Sequence, residues 1–143
     1  MADLPALELI VEEGQAKKLL EKLDKVETPV AVDTDVVGGG RGDPTPVKRG
    51  TIVCWSLSYG NRVCIDEKVL PLFKPWLEDE KRLKRFSNAK FDKHLFANHG
   101  IDLRGIDHDT VVGDFLIDTE NRHGLKECSE RYIGMKMRSF ADT

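Results

Sequence analysis

The chain has 143 residues, of which 40% are hydrophobic and 33% charged, and its formal net charge is −3. This length suits one domain with a sizeable core, no apolar run approaches the roughly 20 residues of a membrane helix, and the charge gives no global basic field. Cys54, Cys64 and Cys128 show no CxxC spacing, which argues against a disulfide framework or a zinc site. We therefore expect a cytoplasmic protein that has no membrane partner.

The first half of the chain reads as one helix followed by three strands. Leu19, Leu20 and Leu23 form the apolar stripe of a helix over residues 12–26. The next elements are a short strand that stops at Asp33, a glycine- and proline-rich loop, and two further strands: residues 30–32, 36–50, 51–58 and 62–65. The short turn between the last two strands predicts an antiparallel meander.

The second half alternates between helices and short strands. The predicted elements are a helix, a strand, a helix, a strand end or turn, and two helices: residues 67–77, 84–87, 91–98, 106–109, 110–117 and 125–133. Pro71 fits the first turn of a helix, whereas Pro75 leaves the later course of that helix open. Strands followed by alternating helices and strands predict an α/β fold with a sheet of mixed direction.

Two carboxylates follow the apolar run that ends at Val32. Asp33 comes directly after it and Asp35 two residues later, so in a strand their side chains point to the same face. Two such carboxylates repel each other unless a cation lies between them, and oxygen donors of this kind suit Mg²⁺ or Mn²⁺. The alternative is that Asp33 only caps a turn.

A second polar segment, Asn88 to Asp92, leads from a short strand into an amphipathic helix. Asp92 would lie in the first turn of that helix. A carboxylate in that position also interacts favourably with the helix dipole and needs no function.

Together the two segments resemble the first and second motifs of the DnaQ-like, or DEDD, 3′–5′ exonucleases, as found in family A DNA polymerases including phage enzymes. The first motif is similar to Val30–Asp35, and the second, an Asn and three residues before an Asp that follows an aromatic, to Asn88–Asp92. The similarity continues through Asp109–Thr110, Leu116–Asp118 and His123–Gly134. The resemblance implies a ribonuclease H-like fold, with a mixed sheet flanked by helices, across nearly the whole chain.

The resemblance also implies a two-metal site for Mg²⁺ or Mn²⁺. Asp33 would bridge both ions, Asp35 would bind one ion and orient the attacking water, and Asp92 would complete the second site. Asn88 and Thr34 would contact the substrate, the single-stranded 3′ end of DNA. Two ions about 3.5–4 Å apart stabilise the attacking and leaving oxygens of an in-line displacement. We expect the three carboxylates to converge on one small volume, in a proofreading domain that serves a polymerase domain in the same or another chain.

The sequence departs from the family pattern in two ways. The family usually has Glu at the position of Asp35, and its third motif, a Tyr or His four residues before a final Asp, has no match before Thr143. We therefore expect residues 1–143 to be a C-terminally incomplete exonuclease domain, from a longer polymerase. The alternatives are a catalytically impaired module that binds DNA or a partner, and an exonuclease that trims RNA.

Three further features are open to more than one interpretation. Residues 37–49 are expected to be poorly ordered without nucleic acid rather than to cradle a nucleotide, because prolines follow the glycines. The basic cluster Lys81–Arg85 is interpreted as a solvated charged face, with phosphate contact as the alternative. Trp55 and Trp76 are predicted to lie in the core rather than to stack on bases.

Overall fold

The computed structural model of the protein describes residues 5–37 and 50–138. The elements in chain order are β1 Leu7–Ile10, α1 Glu13–Leu23, β2 Val30–Val37, β3 Thr51–Ser58, β4 Arg62–Asp66, a 3₁₀ helix Glu67–Phe73, α2 Lys74–Glu78, β5 Lys84–Phe86, α3 Ala89–Asn98, β6 Ile106–Asp109, α4 Thr110–Ile117 and α5 Leu125–Ile133. None of the helices in these two ranges is long and apolar enough to cross a membrane.

Within the described residues, six strands form one sheet in the order β1-β4-β3-β2-β5-β6. Strand β3 pairs antiparallel with both β2 and β4, which confirms the predicted meander. The pairs β1–β4, β2–β5 and β5–β6 are parallel. This mixed sheet with flanking helices confirms the α/β class predicted from the sequence.

Strand alternation gives the sheet one apolar face and one polar face. Val32, Leu57 and Val63 are cross-strand neighbours on the apolar face and are 5%, 2% and 1% exposed. On the other face, Asp33 is exposed and has Ser56 as its cross-strand neighbour. Residues of α1, the 3₁₀ helix, α2 and α3 join the apolar face of the sheet in one core, whereas Asp33 and Asp35 on the polar face of β2 are exposed.

Trp55 lies at the centre of the core beneath the helices. Its ring meets Phe73 and Phe96 edge to face, with centroids 5.0 and 6.0 Å apart, an arrangement that adds to the gain from burial alone. Trp55 is 0% and Trp76 5% exposed, so the prediction that both tryptophans belong to the core is confirmed. The Phe96 contact anchors α3 against the apolar side of β3.

Strand β2 is longer than the sequence predicted. The strand was expected to stop at Asp33, but it runs to Val37 and pairs with β3 along its length, with an irregularity between Asp35 and Val36. The β-branched pair Val36–Val37 favours a strand, so assigning these two residues to the loop was wrong. The remainder of the predicted glycine loop, 38–49, lies outside the described residues, and with it the prediction of its order.

The two prolines in the predicted helix 67–77 mark two separate helices. Pro71 lies inside the 3₁₀ helix, and Pro75 lies in the first turn of α2. A proline is tolerated at the start of a helix because its missing N–H would have no partner within the helix there. The 3₁₀ helix therefore ends at Phe73, and a separate helix, α2, begins at Lys74.

The basic cluster Lys81–Arg85 does not form a single charged face. Lys84 is 0% exposed, and Arg85 forms an ion pair with Asp107 at 3.0 Å. The interpretation as a solvated face is therefore wrong for Lys84. Alternation along β5 explains the difference, because Lys84 shares the inward face with Phe86 while Arg85 points outward.

Candidate active site

Asp33 and Asp35 lie on the open polar face of β2, and both are exposed. The expectation that they share a face is confirmed by the strand that runs through them. Although Asp33 is exposed as a residue, the protein partly desolvates its carboxylate and so raises the pKa; the neighbouring charge of Asp35 raises it further, and a hydrogen bond from the Thr34 backbone opposes both effects. The charge of Asp35 thus disfavours the ionised form of Asp33.

Asp92 lies in the first turn of α3 and is 3% exposed. The hydroxyl of Thr34 donates to Asp92 Oδ1 at 2.7 Å. Because Thr34 alternates with Asp33 along the strand, Asp92 approaches β2 from the helix-covered face. Burial raises the pKa of Asp92 to about 6; the bond from Thr34 lowers it, and the charge of Asp33 adds to the rise.

The three carboxylates interact in pairs. Asp33 raises the pKa of Asp92, and Asp35 raises that of Asp33. Among the residues that the structure describes, however, no three His, Cys, Asp or Glu side chains form a group that could hold a metal ion, so the expected convergence of the three carboxylates on one small volume is not confirmed. The carboxylates fit Mg²⁺ or Mn²⁺ in donor type, since these ions prefer oxygen and their charge would offset the mutual repulsion. Their role as metal ligands remains a prediction.

The entry to α3 has an unusual backbone that a distant carboxylate supports. Asn88 adopts the left-handed conformation, with φ 69° and ψ 55°, and its own side chain does not cap the helix. Asp109 provides the acceptors instead: its Oδ1 accepts from the Asn88 N–H at 3.0 Å and its Oδ2 from the Ala89 N–H at 2.7 Å. Asp109 is also the N-cap of α4 through Val111 N–H at 2.9 Å.

Asp35 has a hydrogen-bond donor on the neighbouring strand. The thiol of Cys54 donates to Asp35 Oδ2 at 3.3 Å. Burial and the carboxylate raise the pKa of Cys54 to about 12, so the thiol stays protonated at neutral pH and keeps donating. Asp35 is one methylene shorter than Glu, and this contact holds its carboxylate towards β3.

A groove of about 640 Å³ lies along the polar face beside Asp33. Arg85, Ala31, Ser58 and Arg62 are successive cross-strand partners, so the two arginines flank a floor of small residues. The C-terminal part of the described chain adds apolar lining from Leu125, Met135 and Met137. Small residues between cationic side chains leave room for an anionic, extended ligand.

A family profile described as 3′–5′ exonuclease matches residues 7–141. The chain belongs to the 3′–5′ exonuclease family. Among its relatives, DNA polymerase I A, chloroplastic/mitochondrial, of Arabidopsis thaliana is 33% identical over 132 residues, which cover 80% of this chain and 13% of the relative. DNA polymerase I of Pseudomonas aeruginosa is 37% identical over 79 residues, which cover 53% of this chain and 9% of the relative. The exonuclease chain thus spans only a small part of these relatives.

Solved structures with the same fold include other nucleases. The catalytic core of RRP6 from Trypanosoma brucei has a TM-score of 0.75 at 17% identity, covering 97% of this chain and 38% of that one. Escherichia coli RNase D has a TM-score of 0.72 at 18% identity, covering 93% and 35%. The Pol1 structure from M. smegmatis has a TM-score of 0.74 at 18% identity, covering 91% and 23%. The exonuclease chain therefore has the ribonuclease H-like fold implied by its motifs.

The sequence analysis of this exonuclease chain missed a buried carboxylate beyond the second motif. Asp114 of α4 is 3% exposed and accepts from the Arg131 guanidinium and the Tyr132 hydroxyl of α5, each at 2.6 Å. His123 Nδ1 is also 2.6 Å from it. These partners hold the pKa of Asp114 well below its usual range. An Asp inside the apolar helix Thr110–Ile117 was the signal that such partners exist.

The structure gives the two predicted substrate residues of the exonuclease chain different environments. Thr34 is half-buried, and its hydroxyl is engaged with Asp92. Asn88 is exposed and forms the left-handed entry to α3. Contact of either residue with substrate remains a prediction.

Proposed function

We propose that this domain hydrolyses single-stranded DNA from its 3′ end and serves as the proofreading unit of a DNA polymerase. The observation that carries the proposal is the 3′–5′ exonuclease family match, in a chain whose strand β2 carries Asp33 and Asp35 and contacts Asp92 through Thr34. The family match supports the reaction class, and the polymerase relatives support the partner. The open polar face gives an extended strand access to Asp33 and Asp35, while Asp92 is buried on the helix-covered side of β2.

The proposed site uses Asp33, Asp35 and Asp92 to hold two Mg²⁺ or Mn²⁺ ions. Such ions, when bound, lower the pKa of a water molecule and neutralise charge on the reacting phosphate. The chain's own contribution is to keep the ligands ionised and oriented. With a pKa of about 6, Asp92 is mostly ionised at neutral pH, and the Thr34 hydroxyl favours that ionised form.

Arg62 and Arg85 are proposed to orient the strand of DNA. Arg62 is exposed and lines the groove beside Asp33, and no hydrogen bond or ion pair engages its side chain within the described ranges. Arg85 is paired with Asp107 and contributes less free charge. Arginine binds phosphate oxygens through a planar set of donors, so Arg62 would contact the backbone of the incoming strand.

The test is hydrolysis of a 5′-labelled single-stranded DNA and of an RNA of the same sequence, in Mn²⁺, by the wild-type chain and two variants. We expect a ladder that shortens from the 3′ end of DNA. Asp33→Ala should lose at least about 100-fold in rate, since each ion stabilises several kcal/mol of charge. Asp102→Ala, which removes only an exposed ion pair with Arg104, is the matched control and should retain the activity.

Each alternative gives a different result in that assay. Faster hydrolysis of RNA than of DNA would favour an RNA-trimming enzyme. Binding of DNA, measured by fluorescence anisotropy, without hydrolysis would favour a binding module. Undiminished hydrolysis by Asp33→Ala would overturn the proposed site.

A further inference from the structure

The carboxylate of Asp109 bridges the first turns of two helices. Its Oδ2 accepts from the Ala89 N–H at 2.7 Å, and its Oδ1 accepts from the N–H groups of Asn88 at 3.0 Å and Val111 at 2.9 Å. The first N–H groups of a helix have no partner within it. One side chain therefore satisfies the start of α3 and the start of α4 together.

Helix α3 depends on this remote carboxylate for its first turn. Its N-cap, Asn88, is left-handed and makes no cap hydrogen bond with its own side chain. Asp109 lies 21 residues further along the chain and is the cross-strand partner of Phe86 in the sheet. Because β5 also pairs with β2, Asp109 ties the start of α3 to the same sheet that carries Asp33.

Asp92 is three positions after Ala89, which places it about 4.5 Å further along the helix axis. If the start of α3 moves, the backbone of Asp92 should therefore move by nearly the same distance. The bond from the Thr34 hydroxyl to Asp92, at 2.7 Å, has little tolerance for such a shift. The carboxylate of Asp92 therefore keeps its place beside Asp33 only while α3 starts in the position that Asp109 sets.

We propose that Asp109 is a positioning residue for the exonuclease reaction, acting through α3 on Asp92. The inference rests on the proposed function, in which Asp92 is a metal ligand. A competing explanation is that Asp109 only caps α4. The two differ in what they require, because capping of α4 needs only the bond from the Val111 N–H to one oxygen, whereas the full bridge to Asn88, Ala89 and Val111 uses both oxygens of a carboxylate.

Two substitutions separate these explanations. Asp109→Ser keeps a good N-cap for α4, but its hydroxyl is too short to reach α3 as well. Asp109→Asn offers one acceptor oxygen. Its NH₂ group would replace the second oxygen and would face a main-chain N–H, so two donors would meet and that hydrogen bond would be lost. Asp66→Ser is the control, since Asp66 caps the 3₁₀ helix through the Lys68 N–H and lies outside the bridge.

The first measurement is independent of activity. In NMR spectra of the full chain, we expect Asp109→Ser and Asp109→Asn to shift the amide signals of Asn88 and Ala89, to speed amide exchange in the first turn of α3, and to move the Asp92 carboxylate signal. Asp109→Ser should leave exchange in α4 unchanged. Signals of α3 and Asp92 that match wild type in both variants would overturn the inference.

The second measurement is exonuclease kinetics at a series of Mn²⁺ concentrations. For both Asp109 variants we expect kcat to fall by about 10- to 100-fold and the Mn²⁺ requirement to rise, because small misplacements at a reacting centre cost about 100-fold, while the KM for DNA stays within about twofold. Asp66→Ser should match wild type. Wild-type kinetics in both Asp109 variants, with Asp33→Ala inactive, would overturn the inference and leave the proposed function intact. An inactive wild-type chain would instead count against the proposed function, and the NMR result would then decide the inference alone.

Discussion

The hydroxyl of Thr34 donates to Asp92 Oδ1 across 2.7 Å, joining a residue of the first motif to the last residue of the second. The two residues are 58 positions apart. The bond links β2 to α3. Strand β2 therefore presents Asp33 and Asp35 on one face and binds Asp92 through Thr34 on its other face. The hydroxyl favours the ionised form of a carboxylate whose burial favours the neutral form.

Thr34→Val should destabilise the protein at pH 7. Valine has the same shape and suits a strand, so the main loss is the donor to a buried, ionised carboxylate, worth about 1–2 kcal/mol. Urea unfolding at pH 7 measures the change. Thr34→Ser, which keeps the hydroxyl, is the control. Equal stability of the Val and Ser variants would mean that the hydroxyl contributes nothing to the fold.

Asp92→Asn should stabilise the protein at pH 7 while it abolishes hydrolysis. Asp92 has a pKa of about 6 in the fold against an ordinary value of 3.8. Its stabilising contribution is therefore complete below about pH 4 and is lost as the pH rises through 6, because the folded state binds the extra proton. Removing the buried charge should increase the free energy of unfolding at pH 7 by roughly 1–3 kcal/mol.

The pH dependence of unfolding provides the control for Asp92→Asn. Wild-type stability should contain a component that falls between pH 4 and 6, and the variant should lack that component. Urea unfolding at pH 4, 5, 6 and 7 resolves the two curves. Parallel curves for the two proteins would contradict the raised pKa of Asp92.

Short-range patterns in the sequence were sufficient to predict the strand face of Asp33 and Asp35. A period of two residues determines which face each side chain takes, and no knowledge of partners is needed. The same holds for β3, where the predicted span 51–58 agrees with Thr51–Ser58. In contrast, β1 was missed because it has only four residues, and its leucines, Leu7 and Leu9, remain exposed.

Contacts between residues that are distant in the chain could not be predicted from the sequence. The bridge from Asp109 to Asn88 depends on how β6 pairs with β5, and sequence patterns do not specify that register. The burial of Lys84 depends likewise on which face of β5 the helices cover. From the sequence alone, a lysine next to other basic residues is expected to be solvated, and only its position in the folded sheet shows that it is buried.

Lys84→Met should destabilise the protein by about 2–4 kcal/mol, because it leaves buried carbonyls without a donor. The Lys84 ammonium donates to the main-chain oxygens of Asp79, Arg82 and Arg104 at 3.1, 2.6 and 3.0 Å. Thermal unfolding measures the change. Lys81→Met, at an exposed position of the same segment, should be nearly neutral. Equal losses in the two variants would contradict a specific role for the buried ammonium.

The stability of wild type and of Lys84→Met should also diverge at alkaline pH. Desolvation lowers the pKa of Lys84 from 10.5 to about 8. Between these values the unfolded state binds the proton and the folded state does not, so the free energy of unfolding from this group rises with pH. The wild-type protein should gain stability relative to Lys84→Met from pH 8 to pH 10. A constant difference over that range would show that the pKa is not lowered.

Asp114→Asn should loosen α4 and α5 without unfolding the sheet. The carboxylate joins the two helices through Arg131, Tyr132 and His123, and an amide cannot accept from all of them. Amide exchange in both helices should accelerate by at least about tenfold, while exchange in β3 stays unchanged. Asp118→Asn, in the exposed turn after α4, is the control. Because the pKa of Asp114 is lowered in the fold, its contribution should be lost as the pH falls through that lowered pKa.

Mn²⁺ should stabilise the wild-type protein against unfolding at pH 7, and the effect should require Asp33, Asp35 and Asp92. An ion that binds only the folded state adds about 2.7 kcal/mol at 100 times its Kd. The gain should shrink at pH 5, because a metal ligand must be deprotonated and Asp92 is mostly protonated there.

Urea unfolding with and without Mn²⁺ measures this shift in stability, with Asp33→Asn and Asp35→Asn as variants and Asp102→Asn as the control. The control should keep the full shift, and the two variants should lose most of it. An unchanged shift in Asp33→Asn would place the ion elsewhere on the protein and contradict the proposed metal site.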